Sequence, residues 1–129
     1  MLRLQMDKIG DMAIVECEGS IECSDAALKL REAVTAHGDA RIVVVDLSEV
    51  VDLAACGVFM LLFLQKWAHD HDVQLKLFNP SRSVRLRLEQ ADAIPEFDIT
   101  PLGEMMVLLS QADHRYALDG KEAALHQAA

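Results

Sequence analysis

The chain is poor in the residues that interrupt or staple a fold. Three prolines and six glycines in 129 residues exclude a collagen-like, Pro/Gly-rich or low-complexity polypeptide. The three cysteines are odd in number and lack metal-type spacing. They are expected to be reduced thiols in a cytoplasmic protein rather than a disulfide framework, with Cys17 and Cys23 as buried, inert thiols. Basic residues are outnumbered, 12 Lys and Arg against 21 Asp and Glu, for a formal net charge of −9. Beyond Arg82, Arg85 and Arg87, read as a solvated helix face, no basic cluster is present to attract a phosphate backbone or an anionic membrane. Nucleic-acid binding is therefore not expected, and a protein partner is.

Other absences narrow the function further. The longest apolar run, Val58 to Leu64, is about a third of the ~20 residues a membrane helix needs, so no direct membrane insertion is expected. The N-terminal MLRLQMDKIGD has no basic segment followed by an apolar one, and no signal peptide is expected. No nucleophile–base pair, phosphate-binding glycine loop or paired carboxylates stand out. The five histidines do not cluster, and His69 and His71, beside Asp70 and Asp72, read as a solvated turn. The expectation is a non-enzymatic protein with no catalytic, cofactor-binding or metal-binding residues.

What is present is a core. At 52% hydrophobic residues the chain suffices for one globular domain, expected over residues 1–112, with a polar tail at 113–129, frayed or loosely docked. Its organising stretch is RIVVVDLSEVVDLAACGVFMLLFLQKW, Arg41 to Trp67. Ile42 to Val45 is a β-branched run without alternation, as expected of a strand buried on both faces. Asp46-Leu47-Ser48 are polar turn formers expected to end it. After the small residues Ala54-Ala55-Cys56-Gly57 comes a helix that is entirely apolar from Val58 to Leu64. A surface helix needs only an apolar stripe of about 100°. Seven consecutive apolar positions cover every direction, so some must lie outside the core and mark a contact patch, unless the C-terminal tail covers them.

The flanks supply the other elements. Leu2 to Met6 alternates, Gly10-Asp11 reads as a turn, and Met12 to Cys17 completes a hairpin before Glu18-Gly19-Ser20 breaks it. Ser24 or Asp25 caps a helix carrying Ala26, Ala27, Leu30, Ala33 and Val34. Val73 to Phe78 alternates as a strand. Ser81 caps a helix through Val84, Leu86, Leu88 and Ala91, and Phe97 to Ile99 is a short last strand. Thr100-Pro101 then starts a helix with a cap and a proline at its first position. The order β-β-α-β-α-β-α-β-α predicts an α/β fold, a mixed sheet of about five strands with about four helices packed against it.

Several of these motifs resemble the STAS domain, the fold of bacterial anti-sigma-factor antagonists. Gly19-Ser20-Ile21-Glu22 stands where that family has a Gly-x-apolar-Asp turn, and Asp46-Leu47-Ser48 matches its Asp-Leu-Ser strand end. Asn79-Pro80-Ser81 and Phe97-Asp98-Ile99 are also similar. The resemblance covers roughly Leu2 to Ala112. It implies a STAS-like mixed sheet and a cytoplasmic, non-enzymatic regulator of transcription. The implied partner is an anti-sigma factor of the ATP-binding kinase type or a related regulatory protein.

One departure carries the functional reading. Where the family usually has Asp-Ser-Ser-Gly or Asp-Ser-Thr-Gly, this chain has Ala54-Ala55-Cys56-Gly57. Phosphorylation of a hydroxyl there adds roughly two negative charges at a helix N-terminus and releases the partner in the family's switching members. No phosphorylation is expected at Ala55 or Cys56. The partner-binding residues are predicted to be Ala54, Ala55, Cys56, Gly57, Val58, Phe59, Met60 and Phe63. The alternatives are a structural subunit of a homo-oligomer such as a homodimer, of a regulatory assembly or of a transporter complex. A further one is a redox sensor through Cys56, whose thiol sits where a helix N-terminus lowers a thiol pKa.

Overall fold

In the computed structural model, which describes residues 2–23 and 25–112, the N-terminal alternating segments pair as an antiparallel hairpin. Strand β1 (Leu2–Ile9) and β2 (Met12–Ile21) meet around Gly10-Asp11, with Ile9 opposite Met12. Gly10 takes φ +60° in the turn, a conformation glycine reaches at no steric cost. Helix α1 (Asp25–Thr35) leads to β3 (Ile42–Leu53), α2 (Ala55–Asp70) to β4 (Gln74–Phe78), and α3 (Arg82–Gln90) through a short 3-10 turn to β5 (Asp98–Thr100). A further helix, α4, occupies residues 102–112. The Ser24 cap and the 113–129 tail fall outside the described residues.

The sheet has five strands in the order β1-β2-β3-β4-β5, antiparallel only at the hairpin and parallel thereafter. Each parallel step needs a crossover, and right-handed crossovers that always advance in one direction drop their helices on one face. Helices α1, α2 and α3 accordingly share a core with the side chains that point toward them, Ala13 and Val15 of β2, Val43, Val45 and Leu47 of β3, and Leu75 and Leu77 of β4. The alternate residues Met12, Ile42 and Val44 form a second core with Met105 and Ala112 of α4. Covered on both sides, Ile42 to Val45 are at most 5% exposed. Lys76, also buried, is held under α4 by Asp98 at 2.6 Å and Glu104 at 3.8 Å.

Three boundaries differ from the sequence expectation. Glu18-Gly19-Ser20 does not break β2, and Asp46-Leu47-Ser48 does not end β3. Both strands run on past the end of β4, with Glu18 paired to Glu49 and Ile21 to Leu53, and register shifts absorb the irregular residues. Neighbouring strands satisfy each other's backbone groups, so turn-forming residues can remain in a ladder when the partner continues too. Asp46 still makes the local bonds that suggest a turn, accepting from the Ser48 N–H at 2.9 Å and its hydroxyl at 2.7 Å. Thr100 is not a helix cap. It ends β5, fully buried, and the Pro101 carbonyl accepts the first α4 bond, from the Met105 N–H.

Candidate functional site

The extended ends of β2 and β3 hold the predicted loop. The Ala54 N–H donates to the Ile21 carbonyl at 2.9 Å, continuing the β2–β3 ladder to the foot of α2. Ala54 is the N-cap of α2 and has no side-chain oxygen to offer its first turn. Gly57 is buried against the strand ends. A Cβ there would lie 2.5 Å from Leu53 Cδ1, 3.0 Å from Ile21 Cγ2 and 3.2 Å from the Ile21 carbonyl oxygen. Close approach, and not a turn, is what requires glycine here.

On the other side, α3 fastens the β3 extension. Its N-cap Ser81 accepts from the Val84 N–H, and the same hydroxyl donates to the Val50 carbonyl at 2.6 Å. Arg87 Nε donates to the Leu53 carbonyl at 2.9 Å. Arg87 is thus a strut between α3 and the loop rather than part of a solvated face. Its stem, with Gln90 and Ala91, faces Ala55, Val58, Phe59 and Leu62 across a groove of about 380 Å³.

Helix α2 divides its apolar run between three environments. Val58, Leu61 and Leu64 are in the core, Met60 and Leu62 pack partly against it, and Phe59 and Phe63 stand in solvent at 71% and 48% exposure. Of the predicted contact residues, Phe59, Phe63 and Ala55 are exposed, and Ala54, Cys56 and Met60 are half-buried. Gly57 is buried, and Val58, 4% exposed, reaches the surface only at the floor of the groove.

The cysteines correct the sequence reading most sharply. Cys23 and Cys56 form a disulfide across 33 residues of sequence, with Cα atoms 5.3 Å apart. Cys23 is exposed and partnered, not buried and inert. Spacing along the chain hides the pair because topology makes it. Ile21 and Leu53 are register partners at the ends of parallel strands, and each cysteine follows its strand end by two or three residues. Parallel pairing of β2 and β3 was the one signal that would have found it. Cys17 remains free, buried under the sheet's helical face. Burial, with the Asp46 carboxylate adding to it, pushes its thiol up to about 12. Iodoacetamide at pH 8 is therefore expected to leave Cys17 unmodified in the native protein and to alkylate it in urea, read by peptide mass spectrometry. Equal labelling in both states would show that the site opens.

Elsewhere His71 Nδ1 contacts the Trp67 carbonyl at 2.8 Å and its ring stacks on Trp67. Among the described residues no three His, Cys, Asp or Glu side chains gather to hold a metal, and no helix is long and apolar enough to cross a membrane.

The arrangement is therefore a bare helix start tied to two strand ends, with an aromatic pair and a shallow groove beside it. Proteins of the same fold are found among solved structures. An anti-sigma factor antagonist from Mycobacterium paratuberculosis superposes with a TM-score of 0.71 at 16% identity, over 85% of this chain and 95% of that one. The anti-sigma factor antagonist SpoIIAA in its unphosphorylated form gives 0.67 at 14% identity, over 86% and 97%. A single-substitution variant of RsbS from Moorella thermoacetica gives 0.67 at 14%, over 84% and 96%. No curated protein sequence matches the chain. The STAS domain family model matches residues 3–103, nearly the whole described fold, and this chain belongs to the STAS domain family.

Proposed function

We propose that this STAS domain is a non-enzymatic, protein-binding regulator of the anti-sigma-factor antagonist type, acting on transcription in the bacterial cytoplasm. Its contact surface is the 54–57 loop with the solvent face of α2. The observation that carries this reading is the exposure of Phe59 and Phe63 immediately beyond that loop. Exposed aromatic side chains next to a groove are the anchors that protein interfaces use, because they bury large area with few rotatable bonds. The partner that the family resemblance suggests is an anti-sigma factor of the ATP-binding kinase type.

The loop residues give the reading its second half. Ala55 and Cys56 stand where the family's switching members have a hydroxyl. A Ser/Thr kinase has no acceptor there, so binding persists in the presence of ATP.

A tagged pull-down from lysate of the source cell, with and without ATP, tests both halves. The expected result is capture of an ATP-binding anti-sigma kinase, undiminished by ATP. Phe59→Asp is expected to weaken that capture by at least about tenfold, the loss of one buried aromatic anchor. Release of the kinase by ATP, with phosphate on the bait, would sink phospho-blindness. Unchanged capture by Phe59→Asp would move the surface elsewhere.

A further inference from the structure

We propose that Cys23 and Cys56 are a reversible dithiol–disulfide couple that sets the rigidity of the 54–57 loop and, through it, partner binding. The binding clause rests on the reading just given, and the couple itself does not. The observation is the bridge between an exposed cysteine after β2 and a half-buried one in the first turn of α2.

Three features fit this pair for reversible exchange. It lies at the surface, where Cys23 is open to solvent, while Cys17, the remaining cysteine, is buried with its thiol pushed up to about 12. The chemistry is thus confined to one pair. Cys56 sits at the start of a 16-residue helix with no side-chain cap. Exchange-active cysteines are found at such helix starts, and the attacking form is the thiolate. Finally, the bridge ties the β2–α1 connection to the residue beside Gly57, at the junction where the Ala54 N–H meets the Ile21 carbonyl. Closing it adds a covalent tether beside one hydrogen bond. In a reducing compartment such pairs rest as dithiols and close transiently.

The step balances with a low-molecular-weight disulfide as oxidant. The Cys56 thiolate attacks one sulfur of the oxidant, whose S–S bond breaks and releases one thiolate. The Cys23 thiolate then attacks the Cys56 sulfur of the mixed disulfide, forming the intramolecular bond and releasing the second thiolate. The two protein thiol protons end on the two released thiols. Two electrons pass from the protein to the oxidant, and excess reduced thiol reverses the sequence.

A loop held in place loses less freedom on docking, so the oxidised form is the tighter binder. The full chain is equilibrated with oxidised or reduced glutathione, trapped with acid, alkylated and mapped by mass spectrometry. Amide exchange at residues 54–58 is followed in both forms. The expected result is a Cys23–Cys56 peptide in oxidised glutathione, reopened by reduced glutathione, with exchange at 54–58 slowed by about tenfold on closing. Failure to close, closure through Cys17, or unchanged exchange overturns the proposal. So does a bridge that reduced glutathione cannot reopen.

Capture of the anti-sigma kinase separates the two claims. Oxidised protein is expected to bind about tenfold tighter than reduced protein, and Cys23→Ser and Cys56→Ser are expected to remove the difference. Equal or weaker binding by the oxidised form, with Phe59→Asp still weakening capture, overturns the regulation and leaves the docking surface standing. Capture that ignores Phe59→Asp but follows the redox state overturns the docking surface and supports control through the loop.

Discussion

Reduction of the Cys23–Cys56 bridge is expected to lower the melting temperature by on the order of 10 °C. The bridge closes a loop across 33 residues that includes α1, β3 and the start of α2. In the chain-entropy picture, opening a loop of that size returns about 3–4 kcal/mol of freedom to the unfolded state. For a domain near this length each kcal/mol moves the transition by about 3–5 °C. Cys23→Ser is expected to melt at the temperature of the reduced wild type, with or without reductant. Calorimetry at matched pH decides the matter, with the bridge verified by mass. Coincident melting curves for the oxidised and reduced wild type would show that closing the bridge costs the native state as much as it takes from the unfolded chain.

A valine at position 57 is expected to destabilise the fold by about 3 kcal/mol, and an alanine by about 1 kcal/mol. Even the first added carbon would lie 2.5 Å from Leu53 Cδ1, and Leu53 is 1% exposed, so its side chain must shift within a packed core. The Ile21 carbonyl, at 3.2 Å, is backbone and already accepts the Ala54 N–H. Relief requires the Leu53 side chain to shift and, because the carbonyl is backbone, the first turn of α2 to lift slightly off the ends of β2 and β3. Alanine recovers part of this cost because it is a better helix former than glycine, by up to about 1 kcal/mol. Valine recovers less and adds two methyl groups to the clash. Urea unfolding reads the result as a lower midpoint at unchanged slope. A Gly57→Ala protein as stable as the wild type would mean that Leu53 and Ile21 yield easily. The same displacement would carry Cys56 away from Cys23, so bridge formation in Gly57→Val is expected to slow as well.

The elements themselves were legible in the sequence because each is local. Ile42 to Val45 reads as a doubly buried strand, and it is one. Ser81 reads as an N-cap, and its hydroxyl accepts from Val84. The excess of apolar residues between Val58 and Leu64 requires exposure somewhere, and exposure falls on Phe59 and Phe63. Periodicity and capping involve residues within one or two turns, so a single segment carries the whole signal.

What the sequence could not disclose is what depends on two segments at once. Asp46-Leu47-Ser48 has turn chemistry, yet β3 continues through it because β2 continues beside it. Arg87 has the look of a solvated residue, yet it bridges α3 to the Leu53 carbonyl. Cys23 and Cys56 have no spacing that pairs them, and only the parallel register of Ile21 with Leu53 brings their helix starts together. The local chain thus determined the order of strands and helices, the double burial of Ile42 to Val45 and the missing hydroxyl. Tertiary structure decided where strands end, which apolar side chains face water, and which thiols meet. Those outcomes follow from neighbours distant in sequence, whose backbone and side-chain groups are supplied only once the parallel crossovers have closed.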